Sequence, residues 1–288
     1  MSHTPPRLRS LLFAPASRPD VLAKLPRSEP DGVVIDLEDA VPPDGKVEAR
    51  RHAREVGEQL ANEHPSLAVY VRVNAVPSAW FEEDVALALT SSLAGVVVPK
   101  LESTAQLDAV ADALASRGLG GLHVVAGIET AAGVARADEV MRDPIAVAYF
   151  GAEDFVADMG GVRTESNTEV LYARSQVALA ARLAGVHALD QIVPSFSDEE
   201  RFVRDAREGA AIGYRGKLCI HPSQVPLANQ VFSPSADEVD HARRLLDAYE
   251  RAHAAGEAAV AFEGQMVDEP MARRARDVIA ATEAGGHA

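Results

Sequence analysis

Short apolar runs, rich in β-branched residues, recur along this 288-residue chain at 8–15, 32–37, 67–73, 95–98, 123–128, 145–150, 188–193 and 216–220. Runs of this length, β-branched and bounded by turn-forming or polar residues, read as buried strands. Between them, at 19–25, 46–63, 82–89, 105–114, 171–183 and 199–210, the spacing of apolar residues is helical. In 46–63 it predicts one face carrying Val47, Ala53, Val56, Leu60 and Ala61. Strict β/α alternation predicts a parallel sheet, and eight repeats are what closes a (β/α)8 TIM barrel. A doubly wound open sheet is the competing arrangement. Two further helical stretches, 236–255 and 271–284, flank the segment 258–270 beyond the last strand. The expected organisation is therefore a catalytic barrel over 1–233 and a C-terminal helical extension over 234–288, a lid packed on the barrel or on a neighbouring subunit.

Composition narrows the function. A hydrophobic fraction of 47% with 25% charged residues is that of an ordinary globular protein. The net charge of −15 argues against general binding to nucleic acid or to anionic membranes, both of which take a basic face. Cys219 is the single cysteine, which excludes an intrachain disulfide. The first ten residues lack the apolar stretch of a signal peptide, and no run approaches the roughly 18 apolar residues of a membrane span. The expected location is the cytoplasm.

The candidate chemistry lies where the strands end. Phe13, Glu38 with Asp39, Arg72, Lys100, Glu129, Asp154 and His221 all fall at or just past the C-terminal ends of predicted strands. Barrel enzymes place their active sites on that face. A carboxylate just past a buried strand is costly to desolvate unless a cation pairs with it. Glu129 and Asp154 follow successive strands, and two carboxylates suit Mg²⁺, which keeps waters and takes substrate oxygens, better than Ca²⁺. No His/Cys cluster offers a zinc site. Arg72 beside such a metal would hold a carboxylate or enolate oxygen through its planar fork, and the pair together suits a 2-keto acid. Plainer readings stand beside these: Arg72 and Lys100 as structural ion-pair partners, Asp154 as a helix cap, and Asp268 as the N-cap of the last helix with Pro270 in its first turn.

The segments 9–13 (RSLLF), 17–19 (SRP), 34–41 (VIDLEDAV), 71–74 (VRVN), 98–100 (VPK), 128–133 (IETAAG), 151–155 (GAEDF), 216–222 (GKLCIHP) and 264–268 (GQMVD) occur in this order. As an ordered set, spanning nearly the whole chain, they resemble the citrate lyase β-subunit-like family, related to the malyl-CoA and citramalyl-CoA lyases of the HpcH/HpaI aldolase superfamily. The resemblance implies a barrel that is a homo-oligomer, a trimer or a dimer of trimers. It implies a lyase that makes or breaks a carbon–carbon bond in a 3-hydroxyacyl thioester, with an acyl-CoA and a keto acid as products. Carried over by motif, Glu129 and Asp154 match Mg²⁺ ligands and Arg72 matches the arginine on keto acid and enolate. Glu38 and Asp39 match acidic residues around the metal's waters, with Glu38 a catalytic candidate. Phe13, Lys100 and Ala152 match substrate positions. Arg18, Lys24 and His221 match the coenzyme A site, to which Lys217 adds a further phosphate-contacting candidate. Asp268 matches an acid/base aspartate delivered from a neighbouring subunit. The chain departs from the family pattern at Ser195, where an aspartate is common. Two alternatives remain: an aldolase of free hydroxy-keto acids, and a citrate lyase complex subunit whose partner is an acyl-carrier protein.

Overall fold

The computed structural model describes residues 7–283. Its eight parallel strands close into a barrel in chain order: β1 (Ser10–Pro15), β2 (Gly32–Asp36), β3 (Ala68–Arg72), β4 (Gly95–Val98), β5 (His123–Ile128), β6 (Ile145–Phe150), β7 (His187–Asp190) and β8 (Gly216–Cys219), with β8 pairing back onto β1. The helices on the outside are α1 (Pro19–Leu22), α2 (Lys46–Glu63), α3 (Phe81–Ala88), α4 (Thr104–Ala115), α5 (Ala131–Ala135), α6 (Ala137–Val140), α7 (Ala152–Asp158), α8 (Leu171–Ala184), α9 (Glu199–Ile212) and α10 (Gln224–Val231). The open-sheet alternative is excluded by the closed ladder. Among the described residues, no helix is long and apolar enough to cross a membrane.

Period-two alternation fills the barrel. Leu11, Val34, Tyr70, Val97, Val125, Val147, Leu189 and Leu218 form one buried interior cluster. Full burial of such side chains stabilises by roughly 1.5–3 kcal/mol each. The next residue on the same face lies two positions on, toward the C-terminal mouth of the barrel.

Three expectations change. The helix expected at 19–25 is α1 followed by a 3-10 turn, Leu25–Ser28. Strand β7 stops at Asp190 rather than at 193, because the carbonyl of Gln191 accepts the Lys217 ammonium at 2.7 Å instead of continuing the ladder. On α2 the buried residues are Lys46, Ala49, Arg50, Ala53, Gly57 and Leu60, whereas Val47 is 76% exposed. Two cations displace valine from the inner face because buried acceptors await them there: Asp84 for Arg50, and backbone carbonyls for Lys46.

Compactness divides the chain between Asn229 and Gln230. The C-terminal unit contains α11 (Ala236–Ala254), a hairpin of β9 (Val260–Phe262) with β10 (Gln265–Val267), and α12 (Glu269–Glu283). A capping box between Ser235 and Glu238 starts α11. Its core gathers Ala242, Leu245, Tyr249, Val267, Ala272 and Ala275.

Candidate active site

The interior columns of β1, β2, β3 and β6 end in Phe13, Asp36, Arg72 and Tyr149, a layer above the apolar cluster. Asp36 and Arg72 are register partners on adjacent strands, and they lock together: Nε and Nη2 of Arg72 donate to Asp36 Oδ1 and Oδ2, each at 2.7 Å. Such a bidentate fork fixes the guanidinium plane. The ring of Phe13 lies under the guanidinium at 5.3 Å and meets Tyr149 edge-to-face at 6.3 Å. The third Arg72 nitrogen, Nη1, lies 2.9 Å from Glu38 Oε2 as an ion pair. That contact lacks hydrogen-bond alignment, so Oε2 is buried without a hydrogen-bonding partner.

Glu38 is held from several sides. Its amide donates to Asp36 Oδ1 at 2.9 Å, and its Oε1 accepts Lys100 Nζ at 2.6 Å. From α2, Lys46 Nζ donates to the carbonyls of Leu37 and Glu38 at 2.5 and 2.8 Å and to Asn74 Oδ1 at 2.8 Å. Asn74 is in turn bonded to Asp84, and Asp84 to Arg50. Burial pushes the Glu38 carboxyl above the usual range, against the pull of Arg72 and Lys100.

Glu129 follows β5 and is 2% exposed. Its Oε1 accepts the Lys100 amide at 2.9 Å and the Tyr149 hydroxyl at 3.2 Å. Thr130, the next residue, caps α5 through Gly133 N at 3.1 Å and so fixes the chain direction just past the carboxylate. Two glycines make room for Glu129: a Cβ on Gly151 would lie 2.3 Å from Glu129 Oε2, and one on Gly127 would lie 2.4 Å from the Tyr149 hydroxyl. Burial raises the Glu129 carboxyl to about 7, Arg72 opposing the shift and the charges of Glu38 and Asp154 adding to it. A buried carboxylate with two like charges close by is an environment that a bound cation relieves. Asp154, in the first turn of α7, lies 3.5 Å from Lys100 Nζ. The donor set, one buried carboxylate and one partly exposed, with more acidic oxygens around them, fits a Mg²⁺ that keeps part of its hydration shell.

Of the residues picked out by sequence, the fold brings Phe13, Glu38, Arg72, Lys100, Glu129 and Asp154 to one mouth. Ala152 is buried at the start of α7, next to Gly151. The plainer readings of Arg72 and Lys100 hold in that both are ion-paired, but their partners are the site's own carboxylates. Arg18 is exposed and forks onto Asp20 at 3.0 Å, and Lys24 is exposed beyond α1. His221 is exposed in the loop after β8, its ring stacked on Phe196 with centroids 4.9 Å apart. Lys217 is not a phosphate contact. It is 0% exposed and pairs with Asp190 at 2.9 Å and with Asp205, in a network where Arg174 forks onto Asp190. A buried ammonium with carboxylate partners is costly to expose. Asp268 belongs to the C-terminal unit, where Oδ1 lies 3.5 Å from the Met271 amide and the carbonyl accepts Ala272 N–H, as at the start of α12. The helix-cap reading of this residue is thus realised.

Asp36 and Gly151 lie in motif segments noted in the sequence but were given no role there, and Tyr149 and Gly127 were not singled out. The available signal was alternation: Asp36 shares its strand face with Val34, and Tyr149 shares its face with Val147.

A profile of the family described as HpcH/HpaI aldolase/citrate lyase matches residues 9–222. The citrate lyase subunit beta-like protein of Deinococcus radiodurans is 55% identical over 284 residues, spanning 97% of this chain and 99% of that one. The L-malyl-CoA/beta-methylmalyl-CoA lyase of Rhodobacter capsulatus is 34% identical over 310 residues, spanning 97% and 96%. Among solved structures, the protein CitE from Mycobacterium tuberculosis, in complex with magnesium, acetoacetate and coenzyme A, matches with a TM-score of 0.79 at 32% identity, covering 98% of this chain and 99% of its own.

Proposed function

The chain belongs to the HpcH/HpaI aldolase/citrate lyase family, and from that premise we propose that it is a magnesium-dependent carbon–carbon lyase of a 3-hydroxyacyl-CoA. Its products are an acyl-CoA and a keto acid. The observation that carries the reading is the convergence of Glu129, Asp154, the forked Arg72 and a Glu38 Oε2 that has no hydrogen bond at one barrel mouth. Glu129 and Asp154 would hold the metal, which when bound supplies Lewis-acid polarisation of the keto acid's oxygens.

The chain's own groups divide the remaining work. Glu38 Oε2, buried beside Arg72 with no hydrogen bond of its own, is the acceptor for the substrate's 3-hydroxyl proton. As that proton leaves, the hydroxyl carbon becomes the keto acid's carbonyl and the C2–C3 bond breaks, its electron pair passing into the thioester enolate. Arg72, held in plane by Asp36 through Nε and Nη2, has Nη1 beside Glu38 to stabilise the developing negative charge in this reading. The enolate carbon then takes a proton from Asp268, the acid/base group in this reading. Glu38 ends protonated and Asp268 deprotonated, and exchange with solvent resets both. Arg18, Lys24 and His221 are proposed as contacts of coenzyme A, with Phe13, Lys100 and Ala152 lining the acyl and keto-acid space. Delivery of Asp268 from a neighbouring subunit makes a homo-oligomer part of the proposal. The exposed apolar stripe Tyr172, Leu179 and Leu183 along α8 supports a surface for assembly.

The test offers malyl, citramalyl and citryl groups to the purified protein as coenzyme A thioesters and on an acyl-carrier protein, and offers free 4-hydroxy-2-keto acids beside them. Cleavage of a CoA thioester alone supports the proposal. Cleavage restricted to the carrier-borne group, or to free hydroxy-keto acids, replaces it with the corresponding alternative.

A further inference from the structure

Lys100, just past the end of β4, has φ 52°, a left-handed conformation that a residue bearing a Cβ rarely adopts. Backbone held in this way is over-determined by its surroundings and clusters at functional sites. Here the turn aims two parts of one residue at different carboxylates. The peptide N–H donates to Glu129 Oε1 at 2.9 Å. The ammonium reaches Glu38 Oε1 at 2.6 Å, Asp39 Oδ2 at 3.3 Å and Asp154 Oδ1 at 3.5 Å. Lys100 thereby touches both carboxylates assigned to the metal, one through its backbone and the other through its charge.

We propose that Lys100 is the site's internal counter-cation, and that loading of magnesium is an exchange in which Asp154 passes from the Lys100 ammonium to the metal. The inference rests on the magnesium reading above. Glu38, Asp39, Glu129 and Asp154 put four carboxylates around one mouth, and Lys100 and Arg72 are the cations paired with this group. Arg72 is fixed by Asp36 on its own side of the mouth. Lys100 is bound unevenly: close to Glu38, and beyond hydrogen-bond reach of Asp154. Its longest contact is thus the one that a divalent ion displaces most readily, and the ammonium can then withdraw to Glu38 and Asp39 without losing its pairing. While it stays, its charge opposes the metal's.

Calorimetric titration of the intact metal-free protein with Mg²⁺ tests this, comparing wild type with Lys100→Met and with Lys100→Gly. Glycine suits the left-handed backbone and keeps the peptide N–H, so it reads the loss of charge even if the methionine variant fails to fold. Removing the ammonium is expected to tighten Mg²⁺ binding by about tenfold, since a like charge beside the ion is gone. Wild-type binding with unchanged or weaker affinity in the folded variants overturns the exchange and leaves the metal assignment standing. No Mg²⁺ binding by wild type overturns the metal assignment itself, and the inference with it.

Discussion

Replacing Glu129 by Gln is expected to stabilise the metal-free protein while abolishing its response to Mg²⁺. In the structure Oε1 accepts from Lys100 N and the Tyr149 hydroxyl. A glutamine carbonyl can accept both, so the substitution removes charge and little else. A carboxyl displaced by burial from 4.5 to about 7 penalises the ionised folded state by roughly 3 kcal/mol above pH 7. Below pH 4.5 the group is protonated in both folded and unfolded chains, so its favourable contribution is fully present there. It is lost as pH rises toward 7. The stabilisation by Glu129→Gln is therefore near zero at pH 4.5, grows through the interval and levels above pH 7. For a domain of this size roughly 3 kcal/mol corresponds to a rise in Tm of about 5–10 °C. Thermal unfolding in chelator at pH 4.5, 6 and 8 measures it. Added Mg²⁺ should raise the Tm of wild type at pH 8 and leave the variant unmoved. Equal stabilisation at pH 4.5 and 8, or none at pH 8, would refute the electrostatic reasoning.

Further substitutions probe the rest of the mouth. Arg72→Lys keeps the charge but not the fork on Asp36, and should lower kcat/KM by on the order of 10²-fold; near-normal turnover would reduce Arg72 to an ion-pair partner. Asp36→Asn should leave Mg²⁺ affinity unchanged while costing about tenfold or more in kcat, because the guanidinium is no longer held in plane. Lys46→Met strands the carbonyls of Leu37 and Glu38, and urea unfolding should show a loss of about 3 kcal/mol. Asp268→Asn should bind Mg²⁺ and keto acid yet lose turnover. Subunit exchange between it and an inactive Arg72→Ala protein should restore partial activity; exchange without recovery, shown by mass spectrometry, would rule out delivery in trans.

What could be read from the chain beforehand was what repeats. Eight apolar runs alternating with helical stretches carry the barrel, and residues at strand ends such as Glu38, Arg72 and Glu129 follow from the rule that such ends share one mouth. Pairings across strands were not legible, because they depend on register. That Asp36 lies opposite Arg72 is set by the β2–β3 ladder, and nothing in either strand alone announces it. Hydropathy misled at α2, where it favoured Val47 inside over Lys46 and Arg50. The reason the cations are inside is a set of acceptors that lie outside the helix, the adjacent carbonyls of Leu37 and Glu38 and the carboxylate of Asp84. Lys217 failed in the same way: a basic residue within a strand reads as a ligand for phosphate until Asp190 and Asp205 are seen to pair with it. Asp268 shows the opposite case, since the cap at the start of α12 was one of its two readings from the aspartate itself and Pro270 in the first turn.

Product stoichiometry tests the central claim most directly. Purified protein is incubated with each hydroxyacyl-CoA in Mg²⁺ or in chelator, and the acyl-CoA and keto acid are quantified together by mass spectrometry. The prediction is equimolar acyl-CoA and keto acid in Mg²⁺, none in chelator, and none from Glu129→Gln under either condition. Free coenzyme A with intact hydroxy acid would mean thioester hydrolysis, and cleavage that persists in chelator would mean that Glu129 and Asp154 hold no essential metal; either result contradicts the account.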